Sequence, residues 1–119
     1  MARAEIKLIE CSSLPGRDFD WQTWVPDDPH NVSLDFVVHI GLEGEPGSEM
    51  FYTTVATRRA IKERPDKSTR FKGFMLDPFI TAEVEPLLRQ FVSSIKGELL
   101  DEIWTKLRER MGWEYDRGR

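Results

Sequence analysis

Residues 32–40 read VSLDFVVHI, and this stretch carries the strongest strand signal in the chain. Apolar side chains occupy every second position and therefore share one face: Val32, Leu34, Phe36, Val38 and Ile40. The opposite face is largely wet and carries Ser33, Asp35, Val37 and His39. One buried face and one solvated face are typical of an antiparallel sheet, so we predict that residues 32–40 form a strand of such a sheet.

An earlier strand is predicted at residues 4–10, where apolar and charged side chains alternate. The alternation places Ile6 and Leu8 on the core face. It places Glu5 and Lys7 on the solvent face.

Two further strands are predicted after residue 40. Three glycines in residues 41–47 let the chain turn, and the β-rich residues 49–57 then return as a hairpin partner. A short turn of helix is expected at residues 58–61. Residues 71–76 are predicted as a fourth strand, which Gly73 weakens.

Two helices are predicted in the last third of the chain. The first has an apolar stripe at helical spacing: Leu87, Leu88, Phe91, Val92 and Ile95. The second has its own stripe: Leu100, Ile103, Trp104, Leu107 and Met111. Strands followed by helices predict an α+β fold, with an antiparallel sheet of about four strands and two C-terminal helices packed on one face.

The length of 119 residues fits one domain. We expect residues 1–76 to be mostly strands and loops, residues 77–112 to be helical and residues 113–119 to form a terminal tail. No apolar run approaches the roughly 20 residues that span a bilayer, and the N-terminus lacks the apolar stretch of a signal peptide. The single cysteine, Cys11, fits a reducing compartment, so the expected location is the cytoplasm.

Charge is unevenly distributed along the chain. Residues 1–50 hold ten acids and three bases, a net charge of −7, whereas residues 51–119 hold eleven acids and fourteen bases, a net charge of +3. Much of the positive charge lies in residues 58–72. The asymmetry indicates either a charged surface for a partner or two halves that neutralise each other. The basic segment leaves a nucleic-acid-binding adaptor as the alternative function, although no known nucleic-acid motif is present.

A long loop precedes the strand at residues 32–40 and reads WQTWVPDDP over residues 21–29. Its prolines fix the backbone and remove hydrogen-bond donors, so the loop is stiff. Aromatic side chains on a stiff loop suit recognition of a partner, and Trp24 stands beside Asp27 and Asp28. The other interpretation is that Trp21 and Trp24 cap the core while the aspartates make turns.

The sequence carries no recognisable catalytic motif. It has two histidines, His30 in the loop and His39 on the wet face of the strand, and no HxxxH, HExxH, CxxC, GxSxG or Walker A pattern. An acid–base set of Asp18, Asp20 and His30 is conceivable, but nothing in the sequence sets its geometry. We therefore expect no catalytic residue, no cofactor and no metal site.

Several short motifs follow one another in a recognisable order. They are WVPDDP at residues 24–29, the strand end at Ile40-Gly41, GEPGSEMF at residues 44–51 with its strand continuing to Thr57, the Trp104 helix ending in Leu107, and WEY at residues 113–115. This combination resembles the immunity protein 8 family of bacterial polymorphic toxin systems. The chain departs from the family in its ending, Asp116–Arg119, and in the basic loop at residues 62–70, so no partner contact is carried over there.

The resemblance implies a small cytoplasmic protein without enzymatic activity that binds and blocks a cognate toxin domain. From composition and motifs we expect no cofactor and no membrane partner, and a nucleic-acid partner is unexpected; the oligomeric state is left open. Charge adds a separate inference: if the toxin attacks nucleic acid, its active-site surface is basic, and acidic side chains of this chain would mimic phosphates.

Two acidic groups are candidates for that contact. The strand of nine residues at 32–40 spans roughly 30 Å, so the two groups lie at opposite ends of it. The returning strand should bring Arg58, Arg59 and Lys62 towards Asp27 and Asp28, whereas the hairpin acids have no basic neighbour in sequence. The predicted toxin-binding residues are therefore, in order, the hairpin acids Glu43, Glu45 and Glu49, and then Trp24, Asp27 and Asp28.

Overall fold

The computed structural model describes residues 2–13, 20–65, 67 and 70–113. The strands are β1 Ala2–Cys11, β2 Ser33–Leu42, β3 Glu49–Ala56, β4 Phe74–Met75, β5 Lys96–Gly97 and β6 Gly112–Trp113. The α-helices are α1 Arg58–Lys62, α2 Val84–Ser93 and α3 Leu100–Leu107. Two short 3-10 helices lie at Trp21–Thr23 and Thr81–Glu83. Within the described ranges, no helix is long and apolar enough to cross a membrane.

The strands form one sheet in the order β4-β3-β2-β1-β5, and β6 also pairs with β3. The pairs β1–β2, β2–β3, β1–β5 and β3–β6 are antiparallel, as predicted for the long strands. The prediction of a purely antiparallel sheet is wrong, however, because β4 runs parallel to β3. The chain leaves β3 through α1 and returns beside β3 in the same direction, which a tight hairpin cannot do.

The predicted fourth strand is shorter than expected, with two residues in place of the six at 71–76. Gly73 lies just before it, where the chain passes very close to β3. A Cβ atom on Gly73 would lie 2.3 Å from the carbonyl oxygen of Thr54. The glycine therefore permits a close approach of two backbones.

A β-bulge interrupts β1. Ile6 pairs with Ile40 but Leu8 pairs with His39, so Lys7 is an extra residue in the strand. The prediction that Leu8 faces the core is wrong, because the bulge turns it to the open face of the sheet, where it is 51% exposed. Beyond the bulge, Ile9 and Cys11 pack against the core.

Helices α2 and α3 share one core with the buried face of β2. All five apolar positions predicted for the central strand are buried. Both helices contribute a buried stripe: Val84, Leu88 and Val92 from α2, and Ile103, Trp104 and Leu107 from α3. Leu100, which the pattern placed on this stripe, is the first residue of α3 and is exposed.

The part of the chain predicted as helical also contains a short strand, β5, between α2 and α3. It pairs with Ala2 and Arg3 at the start of β1. Of the predicted terminal tail, Trp113 belongs to β6 and pairs with Phe51. Residues 114–119, including the rest of the WEY motif, lie outside the described residues.

Candidate functional site

The hairpin between β2 and β3 carries the three acids ranked first. Glu43 and Glu45 are exposed. Glu49 is half-buried, and its Oε2 accepts a hydrogen bond from Trp113 Nε1 at 2.7 Å. Gly44 and Gly47 have φ angles of 80° and 91°, values that favour glycine and let the chain turn tightly. The hairpin thus presents two exposed carboxylates, and its third carboxylate holds the indole of Trp113.

The bulge residue Lys7 supplies a cation beside this hairpin that the local sequence did not indicate. Its Nζ donates to the main-chain oxygen of Glu45 at 3.0 Å and to Oε2 of Glu5 at 3.0 Å. The hydrogen bond and the positive charge of Lys7 lower the pKa of the Glu5 carboxyl from its ordinary value. The Lys7 side chain therefore holds the hairpin turn by binding a main-chain oxygen of the turn. The ion pair of Lys7 is with Glu5.

The two tryptophans of the loop at residues 21–29 differ in burial and in the residues they contact. Trp21 is buried and lies edge-on to Phe36, with ring centroids 5.1 Å apart, so it caps the core as the second interpretation of the loop predicts. Trp24 is half-buried and lies edge-on to Phe79 at 6.2 Å.

The aspartates of the loop make turns, as that interpretation also predicts. Oδ1 of Asp20 accepts from the amide of Gln22 at 3.1 Å, and Oδ1 of Asp28 accepts from the amide of His30 at 3.0 Å. Asp27 and Asp28 remain exposed.

A groove of about 350 Å³ opens beside Trp24. One wall is residues 22–26 with Pro29, and the other wall is residues 79–82. The first wall stands out in the sequence, whereas the second does not and lies at least fifty residues further along the chain. We call this feature the Trp24 groove.

The histidines lie apart and have different acidic partners. Nδ1 of His30 lies 2.7 Å from Oδ1 of Asp77, and Nε2 of His39 lies 2.7 Å from Oε1 of Glu10. The hydrogen bond from His30, helped by the amide of Arg58, lowers the pKa of Asp77.

The conceivable acid–base set of His30 with Asp20 is therefore wrong, since Asp20 caps the first 3-10 helix and the partner of His30 is Asp77. Asp18, the third member of that set, lies outside the described residues. Among the residues that are described, no group of three or more His, Cys, Asp or Glu side chains could hold a metal ion.

The basic segment is partly engaged within the chain. Arg59 pairs with Glu63 at 3.3 Å, and the Arg64 guanidinium lies over the Phe71 ring at 5.9 Å. The expected neutralisation of Asp27 and Asp28 by this segment is absent from the ion pairs of the described residues. The amide of Arg58 instead donates to Asp77 at 3.1 Å.

Comparison with known proteins gives one match. The family model described as Immunity protein 8 matches residues 4–117, nearly the whole chain. No curated protein and no solved structure matches the chain. The match agrees with the family that the order of the sequence motifs indicated.

Proposed function

Because the chain belongs to the Immunity protein 8 family, we propose that it binds a cognate bacterial toxin domain in the cytoplasm and blocks it without catalysing a reaction. The family match over residues 4–117 carries this proposal. The alternative of a nucleic-acid adaptor gains no support from the family match.

The hairpin acids are our first choice for the charged contact with the toxin. Glu43 and Glu45 are exposed on a turn that the amide of Glu43 and the ammonium of Lys7 tie to β1. Carboxylates held on a fastened turn can attract a basic surface with little loss of conformational entropy on binding. The partner that fits this group is a toxin domain with a basic active-site surface.

A Glu43→Lys/Glu45→Lys variant should associate with the toxin domain about tenfold more slowly at low ionic strength, because exposed charges act mainly on the association rate. The difference should shrink as salt screens charges over about 8–10 Å. The measurement is binding kinetics at two ionic strengths with the cognate toxin domain, which is to be sought at the C-terminus of the protein encoded by the neighbouring upstream gene.

The matched control is Glu98→Lys/Glu109→Lys, which makes the same change in net charge at exposed positions outside the hairpin. It should keep most of the parent association rate. Equal rates for the hairpin variant and the parent at low salt would remove the hairpin from the interface.

Neither histidine should be needed for a blocking protein. We expect His30→Ala and His39→Ala to protect toxin-challenged cells as the parent does, because blocking by binding needs no acid–base group. The rings of His30 and His39 hydrogen-bond Asp77 and Glu10. The readouts are cell survival and affinity for the toxin domain. A variant that binds the toxin as tightly as the parent but fails to protect would show that the chain does more than bind.

A further inference from the structure

The Trp24 groove is an apolar surface feature that folding leaves open. Its lining residues are Gln22, Thr23, Trp24, Val25, Pro26, Pro29, Phe79, Ile80, Thr81 and Ala82. Two of its aliphatic residues are exposed to solvent, Val25 at 80% and Ile80 at 45%. Large apolar side chains clustered on a surface mark interaction sites more often than single exposed ones do.

Hydrogen bonds between the two walls hold the groove in shape. Oγ1 of Thr81 donates to the main-chain oxygen of Trp24 at 2.7 Å, and the amide of Phe79 donates to the main-chain oxygen of Pro29 at 2.7 Å. Pro26 and Pro29 also restrict the loop. The groove is therefore preformed, and binding of a ligand would cost little conformational entropy.

Three acidic residues flank the lining residues of the groove in the chain. Asp27 and Asp28 lie in the chain between two lining prolines, and Glu83 directly follows the lining residue Ala82. All three are exposed, and no Lys or Arg is among the described residues that line the groove. An apolar groove with an acidic rim is complementary to an apolar side chain that has basic neighbours.

We propose that the Trp24 groove receives an apolar side chain of the toxin domain, while Lys or Arg residues beside that side chain contact Asp27 and Asp28. This inference rests on the proposed function and adds the chemistry of the partner segment. A second copy of this chain fits less well, because a symmetric contact would bring Asp27 and Asp28 towards their own copies. The acidic rim likewise repels nucleic acid.

The apolar part of the proposal is tested with Val25→Ser/Ile80→Ser. Both side chains are exposed enough that the fold should be retained. Affinity for the cognate toxin domain should fall at least about tenfold, chiefly through faster dissociation. The matched control is Leu8→Ser/Leu99→Ser, which removes aliphatic side chains that are 51% and 64% exposed outside the groove. Its affinity should stay within about twofold of the parent.

The charged part is tested with Asp27→Asn/Asp28→Asn. Asparagine keeps the side-chain oxygen that accepts from the amide of His30, so the turn is preserved. This variant should associate more slowly with the toxin domain and lose part of the salt dependence, whereas its dissociation rate changes less. The two variants thus distinguish the two contributions: loss of the rim aspartates slows association, whereas loss of the apolar groove residues speeds dissociation.

Three results would overturn the inference. If the parent binds the toxin domain and Val25→Ser/Ile80→Ser binds as tightly as its control, the groove is not the contact and the proposed function stands. If sedimentation shows a dimer of the parent that Val25→Ser/Ile80→Ser abolishes, the occupant is a second copy of the chain. If the parent itself neither binds the toxin domain nor protects cells from it, the proposed function is wrong. The toxin domain is then also not the partner of the groove.

Discussion

Replacement of Trp104 by alanine is expected to lower the free energy of unfolding by about 3–5 kcal/mol, the usual range for removal of a large buried aromatic side chain. The Trp104 side chain is only 8% exposed, and its ring packs against Phe51 with centroids 5.4 Å apart. Phe51 lies on β3, so the ring joins α3 to the middle of the sheet. Urea unfolding followed by far-ultraviolet circular dichroism measures the change without relying on tryptophan fluorescence.

The same helix provides the control. Leu100 belongs to α3 but is exposed, so Leu100→Ala should change the free energy of unfolding by no more than about 0.5 kcal/mol. The two variants differ in burial and share the helix. A Trp104→Ala protein with an unchanged unfolding midpoint would refute the assignment of this face of α3 to the core.

Replacement of Thr57 by valine should cost about 2–4 kcal/mol of unfolding free energy, because a buried hydroxyl with several partners is lost. Thr57 is fully buried, and its Oγ1 accepts from the amide of Val32 at 3.1 Å and donates to the oxygen of Val32 at 3.3 Å. It also caps α1 by accepting from the amide of Ala60 at 3.4 Å. Because valine has nearly the same shape as threonine, the loss of unfolding free energy reports the contribution of the hydroxyl group.

Thr57→Ser is the companion variant, since serine retains the hydroxyl and removes one methyl group. It should lose less stability than Thr57→Val in the same denaturation experiment. A valine variant at least as stable as the serine variant would show that the hydroxyl does not join the beginning of β2 to α1.

Local patterns predicted the elements of this fold well. The alternation along residues 32–40 and the helical stripe through Trp104 depend on neighbours within one element. Apart from Leu100, the structure buries the residues that these patterns selected. Such periodicity reports which face of an element meets a core.

Features that depend on distant partners were missed. The sequence Ile6-Lys7-Leu8 alternates as a regular strand would, and only pairing with β2 reveals that Lys7 is extra. The parallel direction of β4 likewise depends on where the chain returns after α1. Neither feature has a local signature, because a bulge and a crossover are defined by two segments together.

The candidate surfaces follow the same rule. Trp24, Asp27 and Asp28 stand out in the sequence because aromatic, acidic and proline residues are adjacent there. The second wall of the Trp24 groove does not stand out, since Ile80 becomes informative only when folding places it opposite the loop. Lys7 reaches the hairpin from 38 residues before Glu45, so counting charges near the hairpin could not find it.

The bulge at Lys7 has an evolutionary consequence. The pairs Ile6 with Ile40 and Leu8 with His39 would follow one another in an ordinary ladder if codon 7 were deleted. A lineage could therefore gain or lose this one residue without changing the inward-facing members of β1. What changes is the ammonium group beside the hairpin. Insertion or deletion of this single residue would thus change the charge next to Glu43 and Glu45 during evolution, while the buried positions of β1 stay the same.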